Sequence, residues 1–142
     1  MRLIIGMSGA SGVIYGIRLL EVLSRVEQVE THLVLSNSAK LNIARETDRN
    51  SKEVQDLADE VYSNKDIAAR LASGSFKTDG MIVAPCAVKT LSAIANSYAD
   101  SLLVRAADVV LKERRRLVLV PRETPLHTCL LYTSDAADEH GC

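Results

Sequence analysis

A glycine-rich turn that directly follows an apolar run is the clearest chemical feature of this sequence. Residues 3–5 are Leu-Ile-Ile, residues 6–12 read GMSGASG, and apolar residues then recur at helical spacing from Val13 to Leu23. A short strand, a glycine turn and a helix together aim backbone N–H groups and the positive end of a helix dipole at a phosphate. The turn predicts a nucleotide or flavin phosphate site. The alternative is a tight strand-to-helix connection that binds no ligand.

The spacing of the turn disfavours three familiar motifs. Its glycines follow G-x-x-G-x-x-G, one residue away from the dinucleotide pattern, and the chain contains no G-x-x-x-x-G-K-[ST] phosphate loop. Ala10 stands where a G-x-S-x-G nucleophile elbow needs its second glycine. A nicotinamide dehydrogenase is also disfavoured, because Ser36, Asn37 and Ser38 replace the acidic residue expected after the second strand.

Polar or cationic residues follow three more predicted strands. These strands are residues 31–35, residues 80–84, which Pro85 ends, and a buried strand at residues 117–120. Helices are predicted at residues 13–23, 52–61, 87–95 and 100–112, and residues 46–48 are predicted to form a loop. The alternation predicts an α/β fold, a Rossmann-like three-layer α/β/α arrangement with a mostly parallel sheet. The carboxyl ends of its strands meet at one edge, where we expect an anion-bearing cofactor.

Composition narrows the function classes further. The chain has 142 residues, 47% hydrophobic and 25% charged, with a net charge of −1, which predicts one globular domain. It has no electrostatic attraction for nucleic acid or for an anionic membrane. No apolar run is long enough to span a bilayer and no signal peptide is evident, so we expect a cytoplasmic protein. Cys86, Cys129 and Cys142 are odd in number and lack C-x-x-C spacing, which supports neither a disulfide framework nor a metal site.

Several reactive side chains have a structural interpretation that competes with a functional one. His32 is interpreted as a partly exposed or hydrogen-bonded strand residue rather than a ligand, and Cys86 as a small buried thiol rather than a nucleophile. Glu46 fits either a helix cap or solvated charge on the one hand, or a functional carboxylate on the other. The cationic cluster of Lys112 with residues 114–116 fits either solvated charge at a helix end or a phosphate- or subunit-facing surface.

Several motifs in sequence order carry a resemblance to a known family. They are SGASG at 8–12 with Tyr15 and Gly16, ETD at 46–48, PC at 85–86, KTLS at 89–92, RAAD at 105–108, LKERR at 111–115 and PRETP at 121–125. Together they resemble the UbiX flavin prenyltransferase family, from about residue 1 to residue 127. The resemblance implies a Rossmann-like, metal-free enzyme that binds FMN and transfers a dimethylallyl group from dimethylallyl phosphate to flavin N5 and C6. It also implies a homo-dodecamer with active sites at subunit boundaries, whose prenylated FMN serves UbiD-type decarboxylases.

The same resemblance assigns roles to particular residues. It implies that the FMN contacts are Gly9, Ala10, Ser11, Ser36, Ala87, Val88, Lys89, Thr90 and Arg122. It places Ser11 close to the reacting flavin edge, and it places Glu46, Arg105, Lys112 and Glu123 on the prenyl-phosphate side. Cations there would stabilise the departing phosphate, and a carboxylate would move protons. Which of Glu46 and Glu123 donates and which accepts stays open.

The chain also departs from the family pattern. Ala87 and Val88 follow the Pro-Cys pair where a hydroxyl residue is common, which leaves backbone N–H groups as the donors, and Arg116 replaces a usual proline. Residues 128–142 resemble translated adapter DNA rather than the family's C-terminal segment, so Tyr132 is not expected to replace the family's phosphate-binding tyrosine. We therefore expect an incomplete FMN-binding domain at residues 1–127 and a non-native tail.

Two alternative functions remain open at this stage. A flavin-dependent cysteine decarboxylase shares the architecture, but such enzymes use a central histidine, and this chain has none between His32 and His127. The second alternative is a fragment that binds FMN and catalyses nothing.

Overall fold

A parallel sheet of five strands runs through residues 1–122, the part of the chain that the computed structural model describes. Its strands are β1 (Arg2–Met7), β2 (Glu30–Leu35), β3 (Glu60–Ser63), β4 (Gly80–Cys86) and β5 (Arg116–Pro121). The order across the sheet is β3-β2-β1-β4-β5, and every neighbouring pair is parallel. The strand order reverses between β1 and β4, and ligands of open α/β sheets bind beyond the carboxyl ends of strands at such a point.

Helices cover both faces of this sheet. They are α1 (Val13–Leu23), α2 (Asn37–Glu46), α3 (Ser51–Gln55), α4 (Val88–Ala95) and α5 (Leu102–Lys112). Successive strand residues point to opposite faces, so Ile5 packs with α1, α2 and α3, whereas Ile4 packs with α4 and α5. Two apolar layers therefore enclose the sheet, and the predicted Rossmann-like three-layer fold with a parallel sheet is confirmed. No helix among the described residues is long and apolar enough to cross a membrane.

Gly16 lets α1 approach the backbone of β4. A β-carbon at Gly16 would collide with the carbonyl oxygen of Ala84 and with the side chain of Met7. Because a backbone carbonyl in a sheet cannot move aside cheaply, only glycine allows this approach. The close packing fixes the start of α1, and with it the glycine-rich turn, beside the end of β4.

Four local expectations from the sequence were wrong. Residues 52–61 do not form one helix, since α3 ends at Gln55 and β3 follows. This strand is largely exposed at a sheet edge, so its sequence lacks the apolar pattern of a buried strand. Glu46 is the last residue of α2 rather than a loop residue. Pro85 does not end β4, because the pairing with β5 continues at Cys86 after an irregularity. Finally, β5 is half exposed rather than buried, because it forms the other edge of the sheet within residues 1–122.

Candidate functional site

A cleft of about 240 Å³ opens at the carboxyl edge of the sheet. Five of the residues predicted to contact a cofactor line it, namely Gly9, Ser36, Ala87, Lys89 and Thr90. They come from the turns after β1, β2 and β4, which are distant in sequence. The parallel topology brings them together because the carboxyl ends of parallel strands meet at one edge.

The remaining lining residues were not predicted from the sequence. They include Ser38 on α2, Asn64 after β3, and Asp100 and Ser101 before α5. A β-carbon on Gly9 would collide with Ser38, so the glycine turn packs directly against the start of α2. The position of Asn64 depends on β3, the strand that the sequence did not reveal. Only Ser38 carried a signal, as a hydroxyl residue shortly after the predicted strand at residues 31–35; Asn64, Asp100 and Ser101 follow no predicted strand.

Glu46 binds the amino terminus of α1. Its Oε1 accepts hydrogen bonds from Gly12 N at 2.9 Å and from Val13 N at 3.4 Å. The carboxylate therefore satisfies two helix N–H groups and lies against the positive end of the helix dipole. The interpretation of Glu46 as a helix cap is therefore confirmed. Because Gly12 directly follows Ser11, the same hydrogen bond places the carboxylate next to Ser11.

Side chains also cap two other helices that begin at this edge. Ser36 Oγ accepts from Ala39 N at 3.0 Å and caps α2. At α5, Ser101 is the capping residue, and Asn64 Oδ1 accepts from Leu103 N at 2.8 Å. These N–H groups are already paired and are not free for a ligand.

The amino terminus of α4 differs from these three. Ala87 occupies its capping position and has no side chain that could cap the helix, and its own N–H donates to Ser8 Oγ at 2.7 Å. Within residues 1–122, no side chain accepts from the N–H groups of the turn that follows. Ala87, Lys89 and Thr90 all line the cleft, and Lys89 is exposed. Uncapped N–H groups, a helix dipole and a cation favour an anion at this point of the cleft.

Arg122 extends from the end of β5 to the glycine-rich turn. Its Cζ lies 4.6 Å from the centroid of the Tyr15 ring, which is within cation–π distance. Its Nε is 3.0 Å from the position that a β-carbon on Gly12 would occupy. Ser11, Lys89 and Arg122 therefore all lie at one edge of the sheet, as the sequence predicted.

The residues predicted for the prenyl-phosphate side are not all brought together within the chain. Arg105 lies in the first turns of α5 and Lys112 at its last residue, and both are exposed. Lys112 follows Arg105 by seven residues, which is almost two full helical turns, so the two residues lie on the same side of α5, about 10 Å apart. The helix begins at the cleft, so Lys112 lies at its remote end. Glu123 lies outside the described residues.

Cys86 and His32 have structural roles. Cys86 is buried, and burial raises the pKa of its thiol to about 12, so it stays protonated at neutral pH and is a poor nucleophile. His32 is fully buried and its Nδ1 lies 2.9 Å from Tyr62 Oη. Burial lowers the His32 pKa, although Glu30 acts in the opposite direction. The interpretation of Cys86 as a buried thiol is confirmed, and so is that of His32 as a hydrogen-bonded strand residue, although His32 is buried rather than partly exposed.

A parallel sheet with an anion-attracting cleft at its switch point is the architecture of a nucleotide-binding or flavin-binding protein, and the chain matches the Flavoprotein family over residues 1–140. It is 58% identical over 140 residues to the flavin prenyltransferase UbiX of Escherichia coli K12, an alignment that covers 99% of this chain and 74% of that protein. The chain belongs to the UbiX flavin prenyltransferase family.

Solved structures agree with this assignment. The crystal structure of a dodecameric FMN-dependent Ubix-like decarboxylase from Escherichia coli O157:H7 superimposes with a TM-score of 0.91 at 54% identity, covering 94% of this chain and 73% of that one. AnUbiX, solved in complex with FMN and dimethylallyl pyrophosphate, gives a TM-score of 0.90 at 52% identity, covering 93% of this chain and 70% of that one.

Proposed function

We propose that this chain is a flavin prenyltransferase that transfers the dimethylallyl group of dimethylallyl phosphate to reduced FMN. The reduced flavin supplies the nucleophile: N5 bonds to the prenyl carbon as the C–O bond to phosphate breaks, and ring closure at C6 adds one proton to the prenyl group and removes one from C6. The observation that carries the proposal is the convergence of Gly9, Ser36, Ala87, Lys89 and Thr90 on one cleft. The prenylated FMN would pass to a UbiD-type decarboxylase.

On the flavin side, we place the phosphate of FMN at the start of α4. Side chains accept from first-turn N–H groups of α1, α2 and α5. At α4, within residues 1–122, only the N–H of Ala87 has a side-chain partner, and the first-turn N–H groups have none. Ser36 uses a lone pair of its hydroxyl to cap α2, which leaves the hydroxyl hydrogen free to donate to a phosphate oxygen. Gly9, Ala10, Ser11 and Val88 complete this side, with Ser11 towards the reacting edge of the ring.

On the prenyl side, we place Glu46, Arg105, Lys112 and Glu123. The cations would stabilise the phosphate as it leaves, and a carboxylate would move the two protons of ring closure. Because Lys112 is remote from the cleft of its own chain, we propose that Arg105 and Lys112 serve the site of a neighbouring copy. A homo-oligomer agrees with the dodecameric relative.

A cytoplasmic location is part of the proposal. Cys86 is a free, buried thiol, and a reduced flavin substrate also fits a reducing compartment.

We expect Arg122→Ala to raise the dissociation constant of FMN about tenfold through loss of one charge-assisted contact. Fluorescence quenching of FMN on titration with protein measures this constant. Arg116→Ala is the matched control, because Arg116 is exposed at the opposite end of β5, and FMN should bind it as it binds the parent chain. An unchanged dissociation constant for Arg122→Ala would remove this residue from the site.

The function is tested by incubating the chain anaerobically with reduced FMN and dimethylallyl phosphate, and by measuring the mass and absorption spectrum of the flavin. We expect a flavin heavier by one five-carbon unit, with dimethylallyl pyrophosphate assayed in parallel. Bound FMN without this product would identify an inactive FMN-binding fragment. In a separate assay with FMN, decarboxylation of an added substrate that ends in cysteine would favour the decarboxylase alternative. Failure of the chain to bind FMN would contradict the whole proposal.

A further inference from the structure

Ser8 joins the two turns that form the cleft, although its side chain does not line it. It follows β1 directly and is only 1% exposed. The cleft is instead lined by Gly9 and Ala87, its neighbours in sequence and in space. We propose that Ser8 is a positioning residue for FMN binding, which acts by holding the start of α4 against the glycine-rich turn.

Three hydrogen bonds support this role. Ser8 N and Ser8 Oγ each donate to the carbonyl oxygen of Pro85 at 3.1 Å. Ser8 Oγ also accepts from Ala87 N at 2.7 Å. One buried hydroxyl thus donates to Pro85, near the end of β4, and accepts from Ala87, the residue directly before α4. A hydroxyl can donate and accept at once, whereas a thiol does both only weakly and a methyl group does neither.

The hydrogen bond from Ala87 to Ser8 determines which N–H groups at the start of α4 can bind a phosphate. Ser8 takes the N–H of Ala87, so the N–H groups that remain for a phosphate are those of the first turn of α4. The bond also fixes the direction in which that turn points. Removing the hydroxyl leaves Ala87 N and one lone pair of the Pro85 carbonyl without their partner, and the start of α4 must shift or rotate to find another. An anion site made of backbone N–H groups loses affinity when its donors are displaced.

This inference depends on the proposed binding of FMN, and the experiment separates the two. Ser8→Ala removes the hydroxyl, and Ser8→Thr restores it. Thr31→Val is the matched control. Thr31 is also 1% exposed, and its hydroxyl also accepts from a backbone N–H, that of Asp59 at 3.1 Å. It lies near the start of β2, however, at the amino ends of the strands and away from the cleft. The measured quantities are the FMN dissociation constant, the absorption spectrum of the bound flavin and the melting temperature of the apoprotein.

We expect Ser8→Ala to raise the FMN dissociation constant about tenfold, which is the size of effect expected when about one hydrogen bond is lost. Ser8→Thr should restore the dissociation constant of the parent chain. Thr31→Val should lower the melting temperature and leave FMN affinity unchanged. If Ser8→Ala bound FMN as tightly as the parent chain, or if Thr31→Val weakened FMN binding equally, Ser8 would have a general structural role and the inference would be wrong. Failure of the parent chain to bind FMN would instead contradict the proposed function.

A measurement on the parent chain covers the case in which Ser8→Ala does not fold. Hydrogen exchange of the apoprotein, followed residue by residue with NMR, reports whether Ala87 N is paired. We expect the Ala87 amide to be protected and the amide of Lys89 to exchange faster, because no side chain of residues 1–122 accepts from Lys89 N. Exchange of Ala87 at the rate of an unpaired amide would overturn the inference.

Discussion

Replacing Glu46 with glutamine is expected to leave FMN bound and to reduce turnover by about a hundredfold or more, the usual scale for loss of a proton-transfer group. The glutamine keeps a carbonyl oxygen where Glu46 Oε1 accepts from Gly12 N and Val13 N. The cap on α1, and therefore the glycine-rich turn, should stay in place. What the amide loses is the negative charge and the ability to carry a proton. The measurement compares kcat for product formation with the FMN dissociation constant.

Two variants make this result specific. Asp48→Asn makes the same change of charge at an exposed carboxylate two residues away, and it should retain normal turnover. Glu46→Ala removes the cap as well as the charge, so it should also lower the melting temperature, by the equivalent of about 1 kcal/mol. Normal turnover of Glu46→Gln would mean that the residue acts only as the cap of α1.

Much of the fold was predictable because its central strands are buried on both faces. Such strands appear as short continuous apolar runs, and β1, β2 and most of β4 were found this way. Helix α5 was found from its apolar stripe. In contrast, β3 is an outer strand of the sheet and is largely exposed on both faces. Its sequence therefore lacks the alternation of apolar and polar residues that would predict a strand. Its assignment needed the tertiary pairing of Val34 with Tyr62.

The candidate site was predictable for a different reason. Once the strands are parallel, topology alone brings the turns after β1, β2 and β4 to one edge, and this placed Gly9, Ser36 and Lys89 correctly at the cleft. Sequence alone does not say which helix starts are already capped. That information lies in contacts such as Glu46 with Gly12, across 34 residues. Once the side-chain acceptors at the starts of α1, α2 and α5 are known, the first turn of α4 is distinguished at this edge by N–H groups that have no side-chain partner within residues 1–122.

The position of Lys112 leads to the second large effect. Lys112→Ala is expected to retain FMN and to lose about a hundredfold in turnover, because a cation that stabilises a departing phosphate contributes on that scale. Lys77→Ala, which removes another exposed lysine, should be nearly normal. This single substitution tests whether Lys112 takes part, but it does not show which chain's site it serves.

Coexpression of Lys112→Ala with Glu46→Gln, each carrying a different tag, answers that question. If each site combines Glu46 of one copy with Lys112 of another, random assembly of equal amounts rebuilds about one quarter of the sites with both residues intact. Turnover of the mixed oligomer should then far exceed that of either variant alone. If Lys112 instead serves the cleft of its own chain, every site in the mixture lacks one residue, and no activity returns. Recovery would therefore mean that the exposed side of α5, with Arg105 and with Lys112 two helical turns further along, faces the flavin of a neighbouring copy.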